Sequence, residues 1–341
     1  MSGSRLRERL AGGPVLCAEG YLFELERRGH LQAGAYVPEV VVDRPDVVEA
    51  LHREFVDAGS DVVEAFTYYG HREKLRLICK EDLLEPLNRG ALAIAGRVAD
   101  ETGALLAGNV CNTNVWGDDA GSQRTARAMF EEQAAWAADA GVDFVIAETF
   151  QFAGEALLAV EVIREAGLEA VATLAVHRDA TTREGWSPAE ACRRLADAGA
   201  AVVGLNCIRG PRTMLPLLAD IRAAVQTPVA ALPVPYRTHE HEPTFQSLSD
   251  PGADAAPFPT ALDPFTCSRY EVAAFARDAL ALGIDYLGLC CGAAPHHIRA
   301  MAEAMGRRPP ASRYSPDMSK HAFLGSEASL QAENLAFADR L

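Results

Sequence analysis

The sequence predicts an α/β fold, a closed (β/α)8 barrel of the TIM type with a C-terminal extension. Short apolar runs rich in β-branched residues alternate with amphipathic helical patterns about eight times along the chain. The runs are apolar at nearly every position, which is typical of parallel strands buried on both faces. No G-x-G-x-x-G turn follows the first run, which disfavours the alternative, an open dinucleotide-binding sheet.

The elements can be assigned in chain order. The predicted strands are VLCAEGYLF (15–23), DVVEAFTYY (61–69), ALLAGNV (104–110), DFVIAETF (143–150), EAVATLAV (169–176), AVVGLNC (201–207), PVAALPV (228–234) and DYLGLCC (285–291). The clearest helices are DVVEALHREFVDAG, RTARAMFEEQAAWAADAG, GEALLAVEVIREAG and SPAEACRRLADAGA. Several close on an Ala-Gly step, which suits a helix C-cap.

Two segments depart from this alternation. Residues 236–268 are rich in Pro, Gly, Asp and Thr, and a loop of that length is usually functional. Residues 309–341 begin with a Pro-rich breaker and carry no strand pattern. We therefore assign residues 1–308 to the barrel and residues 309–341 to a tail that docks on the barrel or on a neighbouring subunit.

Composition excludes several classes of function. The chain has 341 residues, 49% of them hydrophobic, and can bury a large core. Its net charge of -15, without a Lys/Arg cluster, disfavours a nucleic-acid surface, which needs a basic face. No apolar stretch reaches the roughly 20 residues that span a bilayer, and the N-terminus lacks the apolar core of a secretory signal. We expect a cytoplasmic protein whose eight cysteines are buried, catalytic or metal-bound rather than paired.

Three cysteines lie at the ends of two predicted strands. Cys207 ends the sixth strand, and Cys290 and Cys291 end the eighth. Chemistry in such a barrel sits at the carboxyl ends of the strands, so closure can bring the three thiols together. Three thiolates would form an open zinc site, with a fourth position for water or substrate. The plainer interpretation is small buried hydrophobic residues, but a vicinal pair with a third thiol nearby favours the metal.

The same residues carry a resemblance to a known family. GLNC (204–207) and GLCCGAAPHHIRAM (288–301) resemble the motifs of the zinc-dependent homocysteine S-methyltransferase family. LHREFVDAGSDVVEAFTYYGHREKL and YSPDMSKHAFLG look like its betaine-homocysteine methyltransferase branch, and the likeness runs from about residue 14 to 325. Leu289 stands where the family usually has a second glycine.

The resemblance implies an activity. It implies that zinc binds the sulfur of homocysteine, which then accepts a methyl group from a small onium donor to give methionine. Betaine is the favoured donor; a sulfonium such as dimethylsulfoniopropionate or S-methylmethionine, or S-adenosylmethionine, is the alternative. A barrel that only binds zinc is a further alternative. The branch forms oligomers through C-terminal extensions, so we expect a homo-oligomer.

The resemblance also implies roles for single residues. Cys207, Cys290 and Cys291 match the metal ligands, and Tyr69 matches a tyrosine that lies near the metal when substrate is absent. Glu148 matches the glutamate that pairs with the amino group of homocysteine. Ala18 stands where the branch has an aspartate, so the neighbouring Glu19 is a candidate for that role.

The donor pocket is predicted from aromatic residues. A quaternary ammonium or sulfonium cannot donate a hydrogen bond from its charged centre, so proteins hold it against aromatic faces. Thr149 stands where the branch has a tyrosine, which leaves the donor open. Arg237 or His239 could meet a donor carboxylate. The candidates for the aromatic cage are Tyr21, Tyr36, Tyr68, Tyr69 and Phe258.

Overall fold

The computed structural model describes residues 4–341 and consists of a closed barrel of eight parallel strands. Each strand pairs with the next, and β8 closes the barrel on β1 with Leu16 opposite Leu287. The predicted barrel is therefore confirmed. The strands are β1 (Val15–Ala18), β2 (Val62–Glu64), β3 (Leu105–Cys111), β4 (Phe144–Phe150), β5 (Ala170–Leu174), β6 (Val202–Asn206), β7 (Val229–Leu232) and β8 (Tyr286–Leu289).

Helices cover the outside of the barrel. The α-helices are α1 (Arg5–Ala11), α2 (Tyr21–Arg27), α3 (Val40–Asp43), α4 (Pro45–Asp57), α5 (Arg72–Leu77), α6 (Leu84–Thr102), α7 (Ala120–Asp139), α8 (Ala153–Glu165), α9 (Pro188–Asp197), α10 (Pro211–Ala224), α11 (Arg269–Ala281), α12 (Pro295–Ala304) and α13 (Ala332–Leu335). Short 3-10 helices lie at Glu81–Leu83, Phe245–Ser247, Asp263–Phe265, Pro310–Tyr314, Met318–Lys320 and Ala338–Arg340. Among the described residues, no helix is both long and apolar enough to cross a membrane.

The first predicted strand was too long. The chain leaves β1 at Ala18, and the apolar residues from Tyr21 onward form α2 instead. A short apolar run cannot be assigned to strand or helix by periodicity alone. Gly20 makes the turn possible, because a Cβ at this position would lie 2.5 Å from the carbonyl oxygen of Ala293.

The core has an inner and an outer layer, which follow from side-chain alternation along each strand. In β1, the side chains of Val15 and Cys17 point into the barrel, whereas that of Leu16 packs against the helices. Phe144 fills the interior in the same way and meets the ring of Tyr286 edge to face, with 6.5 Å between ring centroids. This filled interior leaves the chemistry to the loops at the carboxyl ends of the strands.

The long loop and the first part of the tail both contact the barrel. The loop of residues 236–268 is held where the Phe245 N–H donates to the carbonyl of Ile208 at 2.9 Å. The first part of the tail contacts α12, because Arg299 donates to the carbonyl of Ala311 at 3.2 Å and the Ser315 hydroxyl donates to Glu303.

Candidate active site

The carboxyl rim of the barrel contains several residues in a left-handed backbone conformation. Tyr69, Thr149, Cys207 and Ile208 have φ angles of 60°, 62°, 54° and 56°. Such angles are uncommon for residues with a side chain, cost on the order of 1–3 kcal/mol each, and cluster at functional sites. The rim is therefore held in an arrangement that local preferences alone would not select.

The three predicted thiols meet at this rim. The sulfur atoms of Cys207, Cys290 and Cys291 all lie within 4.8 Å of one another. The end of β7, the strand between them, and the residue after it hold both backbones. The carbonyl of Leu232 accepts from the Cys207 N–H at 2.9 Å, and that of Pro233 accepts from the Cys290 N–H at 3.0 Å. Adjacent strands that end at the same level thus bring the three sulfurs together.

The donor set and its spacing suit a zinc ion. Hydrogen bonds from the thiols of Cys290 and Cys291 hold the pKa of Cys207 well below its usual range. The Cys290 and Cys291 sulfurs lie 3.9 Å apart. Tetrahedral zinc with Zn–S bonds of about 2.3 Å places its sulfurs about 3.8 Å apart. All-sulfur ligation favours zinc over magnesium or calcium.

Glu148, on β4, lies beside the thiols and is already hydrogen-bonded on both oxygens. Its Oε1 accepts from the Asn109 amide at 2.6 Å, and its Oε2 accepts from the Asn206 amide at 2.7 Å and the Thr149 hydroxyl at 2.9 Å. Burial raises the pKa of Glu148 to about 7. A carboxylate with three donors is positioned to receive a cation without moving.

Two more buried carboxyl groups complete the acidic side of the site. Glu19 is only 6% exposed, and neither of its side-chain oxygens has a hydrogen-bond partner among the described residues. An oxygen of Glu19 lies within 4.8 Å of a Glu148 oxygen and the Cys290 sulfur. Glu64, on β2, accepts from the Asn109 amide at 2.5 Å. Burial raises the pKa of both Glu19 and Glu64 well above the usual range.

These groups share one cavity. The cavity is lined by the carboxyls of Glu19 and Glu148 and by the vicinal thiol pair. Two of the five predicted cage aromatics, Tyr21 and Tyr68, also line it. The lining residues are Glu19, Tyr21, Leu22, Glu64, Ala65, Phe66, Tyr68, Asn109, Glu148, Cys290 and Cys291. The sequence analysis missed Glu64, Asn109 and Asn206, although Asn206 lies in the GLNC motif.

The predicted cage aromatics fall into three separate groups. Tyr21 packs against His52 and Phe55, with ring centroids 4.9 and 5.3 Å away, and its hydroxyl contacts His52 Nδ1 at 3.1 Å. The rings of Tyr68 and Tyr69 pack against each other, with 4.3 Å between their centroids. One wall of the cavity is therefore supported from below by the core, and another comes from the loop after β2.

Tyr69 is held by its own surroundings. Its N–H donates to the sulfur of Cys111 at 3.3 Å, and the ammonium of Lys74 lies 3.9 Å from its ring centroid. Burial raises the pKa of the Tyr69 hydroxyl to about 12. The neutral phenol is therefore the form present at pH 7 in the absence of a metal.

The third group extends from α2 to the long loop. The ring centroids of Tyr36 and Phe23 lie 5.7 Å apart, and those of Phe23 and Phe245 lie 6.1 Å apart. The ring of Phe245 in turn lies 4.9 Å from that of Phe258, measured between centroids. Tyr236, which the sequence analysis did not select as an aromatic, stacks on Phe245 at 5.9 Å. Tyr36 and Phe258 thus belong to a cluster outside the cavity that Tyr21 and Tyr68 line.

Thr149 and the two loop residues have other partners. The Thr149 hydroxyl takes part in the hydrogen bonds of Glu148 and Asn206. Arg237 forms an ion pair with Glu271 at 2.7 Å, and His239 lies 3.1 Å from Glu242. The basic loop residues are therefore engaged with neighbours on the surface.

A closed (β/α)8 barrel with thiols and buried carboxyls at its carboxyl rim defines a barrel enzyme. The chain belongs to the homocysteine S-methyltransferase family, whose model matches residues 20–305. It is therefore a homocysteine S-methyltransferase, and the resemblance noted from its motifs is confirmed.

Relatives support the branch. The chain is 36% identical over 329 residues to betaine–homocysteine S-methyltransferase 1 of Rattus norvegicus, covering 94% of this chain and 78% of that protein. It is 35% identical over 330 residues to an S-methylmethionine–homocysteine S-methyltransferase of the same organism, covering 94% and 85%. The metallated homocysteine methyltransferase MmuM of Escherichia coli shares the fold, with a TM-score of 0.68 at 18% identity, covering 87% of this chain and 99% of that one.

The histidine beneath Tyr21 generates a pH prediction. Burial lowers the pKa of His52 from 6.5 to about 3. The unfolded chain therefore binds this proton at a higher pH than the folded one, and the stability that the neutral form contributes is complete above pH 6.5. It is lost as the pH falls toward 3, by up to about 1.4 kcal/mol per pH unit.

The variant His52→Gln tests this contribution. It removes the titration but keeps a polar group near the Tyr21 hydroxyl. Urea unfolding over that pH range should show a steeper loss of unfolding free energy in the unmodified protein than in the variant. The other buried histidines titrate in both proteins and cancel, so equal slopes would contradict the prediction.

Proposed function

We propose that the protein transfers a methyl group from betaine to the thiol of homocysteine, with a zinc ion bound by Cys207, Cys290 and Cys291. The observation that carries this proposal is the group of three sulfurs within 4.8 Å of one another, beside buried carboxyls. Bound zinc would supply the positive charge that keeps a thiol deprotonated at neutral pH. The methyl carbon would leave the betaine nitrogen and bond to sulfur, giving methionine and dimethylglycine.

We assign the ammonium of homocysteine to Glu148 and Glu19. Glu148 is held by three donors and has carboxylate lone pairs left for an N–H group. Glu19 has two buried oxygens without a partner among the described residues, and an unpaired buried carboxylate is costly. A substrate ammonium between them would lower the pKa of both carboxyls and stabilise their charged forms.

The onium group of the donor is assigned to the aromatic faces that line the cavity. Tyr21 and Tyr68 border it together with the thiol pair, and we keep Tyr69 as a resting contact of the metal. Tyr36 and Phe258 would take part only as supports, through the cluster they form with Phe23 and Phe245.

One observation favours a sulfonium as the second candidate donor. Thr149 gives its hydroxyl to Glu148, so this position offers no aromatic wall to the cage. Dimethylsulfoniopropionate carries two methyl groups on its charged centre where betaine carries three, and it fits a smaller set of faces. A barrel that only stores zinc has less support, since metal storage does not need the buried carboxyls.

We also propose that residues 309–341 contact a neighbouring subunit and form a homo-oligomer. Tyr314, Met318 and Leu324 in this tail are 66%, 50% and 61% exposed. Exposed apolar side chains grouped in one segment are typical of a contact surface. Light scattering should give a multiple of the chain mass for the full chain and a smaller mass for Leu324→Glu; a monomeric full chain would contradict this proposal.

The metal assignment predicts a loss of both zinc and activity in thiol variants. Replacing Cys290 by Ala removes one of three ligands, so zinc measured by mass spectrometry of the purified protein should fall from one per chain toward none. Cys192→Ala is the matched control, because this thiol is buried against the Gly204 carbonyl, away from the cluster. Full zinc content in Cys290→Ala would refute the assignment.

The carboxyl assignment predicts that Glu148→Gln weakens homocysteine binding. The change removes the charge but keeps the shape, and a charge-assisted hydrogen bond is worth roughly 1.5–3 kcal/mol. The dissociation constant measured by calorimetry should rise by about 10- to 100-fold, while zinc content stays the same. If only Glu19→Gln has this effect, the ammonium belongs to Glu19 alone.

A panel of donors tests the reaction itself. Initial rates of methionine formation are compared for betaine, dimethylsulfoniopropionate, S-methylmethionine and S-adenosylmethionine at equal concentration. Betaine should be the best donor, and Tyr68→Ala should raise its Michaelis constant more than that of homocysteine, since a desolvated cation–π contact is worth about 2 kcal/mol. Turnover with S-adenosylmethionine alone, unaffected by Tyr68→Ala, would overturn the proposed donor class.

A further inference from the structure

The two vicinal thiols lie on a tight turn whose shape depends on a glycine. The Ala293 N–H donates to the carbonyl of Cys290 at 3.0 Å, which closes a turn over Cys290, Cys291, Gly292 and Ala293. Gly292, the third residue, has a φ of 96°, as the third position of a type II turn requires. The direction in which the two sulfurs point therefore depends on how this turn is held.

An arginine from the helix after β1, the strand that pairs with β8, reaches this turn. Arg27, at the end of α2, donates through Nη1 to the Gly292 carbonyl at 3.1 Å and through Nη2 to the Tyr236 hydroxyl at 2.7 Å. One guanidinium therefore connects α2, the turn after β8 and the loop after β7. Its planar fork of donors fixes the relative positions of the two acceptors.

Tyr236 closes the other side of the turn. Its side chain is fully buried, and a Cβ on Gly292 would lie 2.4 Å from its hydroxyl oxygen and 2.7 Å from its Cζ. Only a hydrogen atom fits between the ring and the turn. The same ring stacks on Phe245, so the turn is also in contact with the aromatic cluster of the long loop.

We propose that Arg27 and Tyr236 are positioning residues that hold the Cys290–Cys291 turn in the geometry that binds zinc. This inference rests on the proposed zinc site. Arg27 donates a hydrogen bond to the carbonyl of Gly292, the residue after the thiol pair, and the ring of Tyr236 packs against the α-carbon of Gly292. The hydrogen bond between Arg27 and Tyr236 couples these two contacts. Neither residue contacts substrate in this role; each acts through the backbone that carries the sulfurs.

The experiment measures how fast zinc leaves the purified protein when a strong chromogenic chelator is added in excess. Arg27→Met removes the fork and keeps much of the aliphatic stem, Arg27→Lys keeps the charge, and Tyr236→Phe removes only the hydroxyl. The matched control is Arg28→Met, on the same helix, because Arg28 pairs with Glu24 and Glu54 and does not reach the turn.

Groups that support metal ligands from outside usually change metal affinity by about 10- to 100-fold. Arg27→Met should release zinc about tenfold faster, Tyr236→Phe should release it faster by a smaller factor, and the double variant should match Arg27→Met, since both changes break one unit. Arg27→Lys should restore part of the retention. With cobalt in place of zinc, the sulfur-to-metal absorption should shift in Arg27→Met and remain unchanged in Arg28→Met.

A merely structural role would give a different result. It would lower the melting temperature of the zinc-free protein in Arg27→Met and leave the release rate and the cobalt spectrum unchanged. That result, or strictly additive effects of the two changes, would overturn the inference. Absence of zinc from the unmodified protein would instead refute the proposed function, so the two failures are distinguishable.

Discussion

Closure of the barrel around β7 is the constraint on which the site depends. Cys207 and the Cys290–Cys291 pair are distant in the chain, and only β7 lies between the strands that carry them. The carbonyls of Leu232, its last residue, and of Pro233, which follows it, accept the N–H groups of Cys207 and Cys290. Hydrogen bonds that continue the pairing of the sheet therefore set how far along the barrel axis the two cysteines lie. A change of register in β7 would separate the sulfurs while leaving each local sequence unchanged.

The acidic side of the rim depends on amides in a similar way. Asn109 gives its NH2 group to both Glu64 and Glu148, and Asn206 connects Glu148 to Thr149. Buried carboxyls without such donors take up protons, because charge is costly in a medium of low dielectric constant. The hydrogen bonds lower the pKa of Glu148 against the effect of burial, which leaves it near 7. The amides thus keep this carboxyl available for a cationic partner.

The fold and the thiol cluster could be predicted from the sequence because both correspond to patterns of residues that are close together in the chain. Eight apolar runs with intervening helices are visible as periodicity, and a vicinal cysteine pair at a strand end is visible as a motif. No local sequence pattern identifies the roles of Asn109, Glu64, Arg27 and Tyr236. Their partners lie on other strands or loops, so their roles depend on side-chain distances that closure alone creates. The aromatic cage was predicted as one set because four of its members follow the first two strands, whereas packing divides the set between the cavity and a separate cluster.

The arrangement also suits the charge changes of the proposed reaction. A thiolate attacks an onium carbon, and both charges disappear as the methyl group is transferred. Such a step is favoured in a site with little water, because separated charges are stabilised by solvent more than their neutral products are. The rim meets this condition on two sides: Cys290 and Glu148 are 3% and 4% exposed. The ammonium of homocysteine keeps its charge throughout the reaction and needs a permanent carboxylate partner. The onium group of the donor loses its charge, so aromatic faces suit it better. They bind the cation without requiring an anion beside the methyl group. Carboxyls just after β1 and on β2 and β4, with tyrosines beside the thiol pair, separate these two requirements within one cavity.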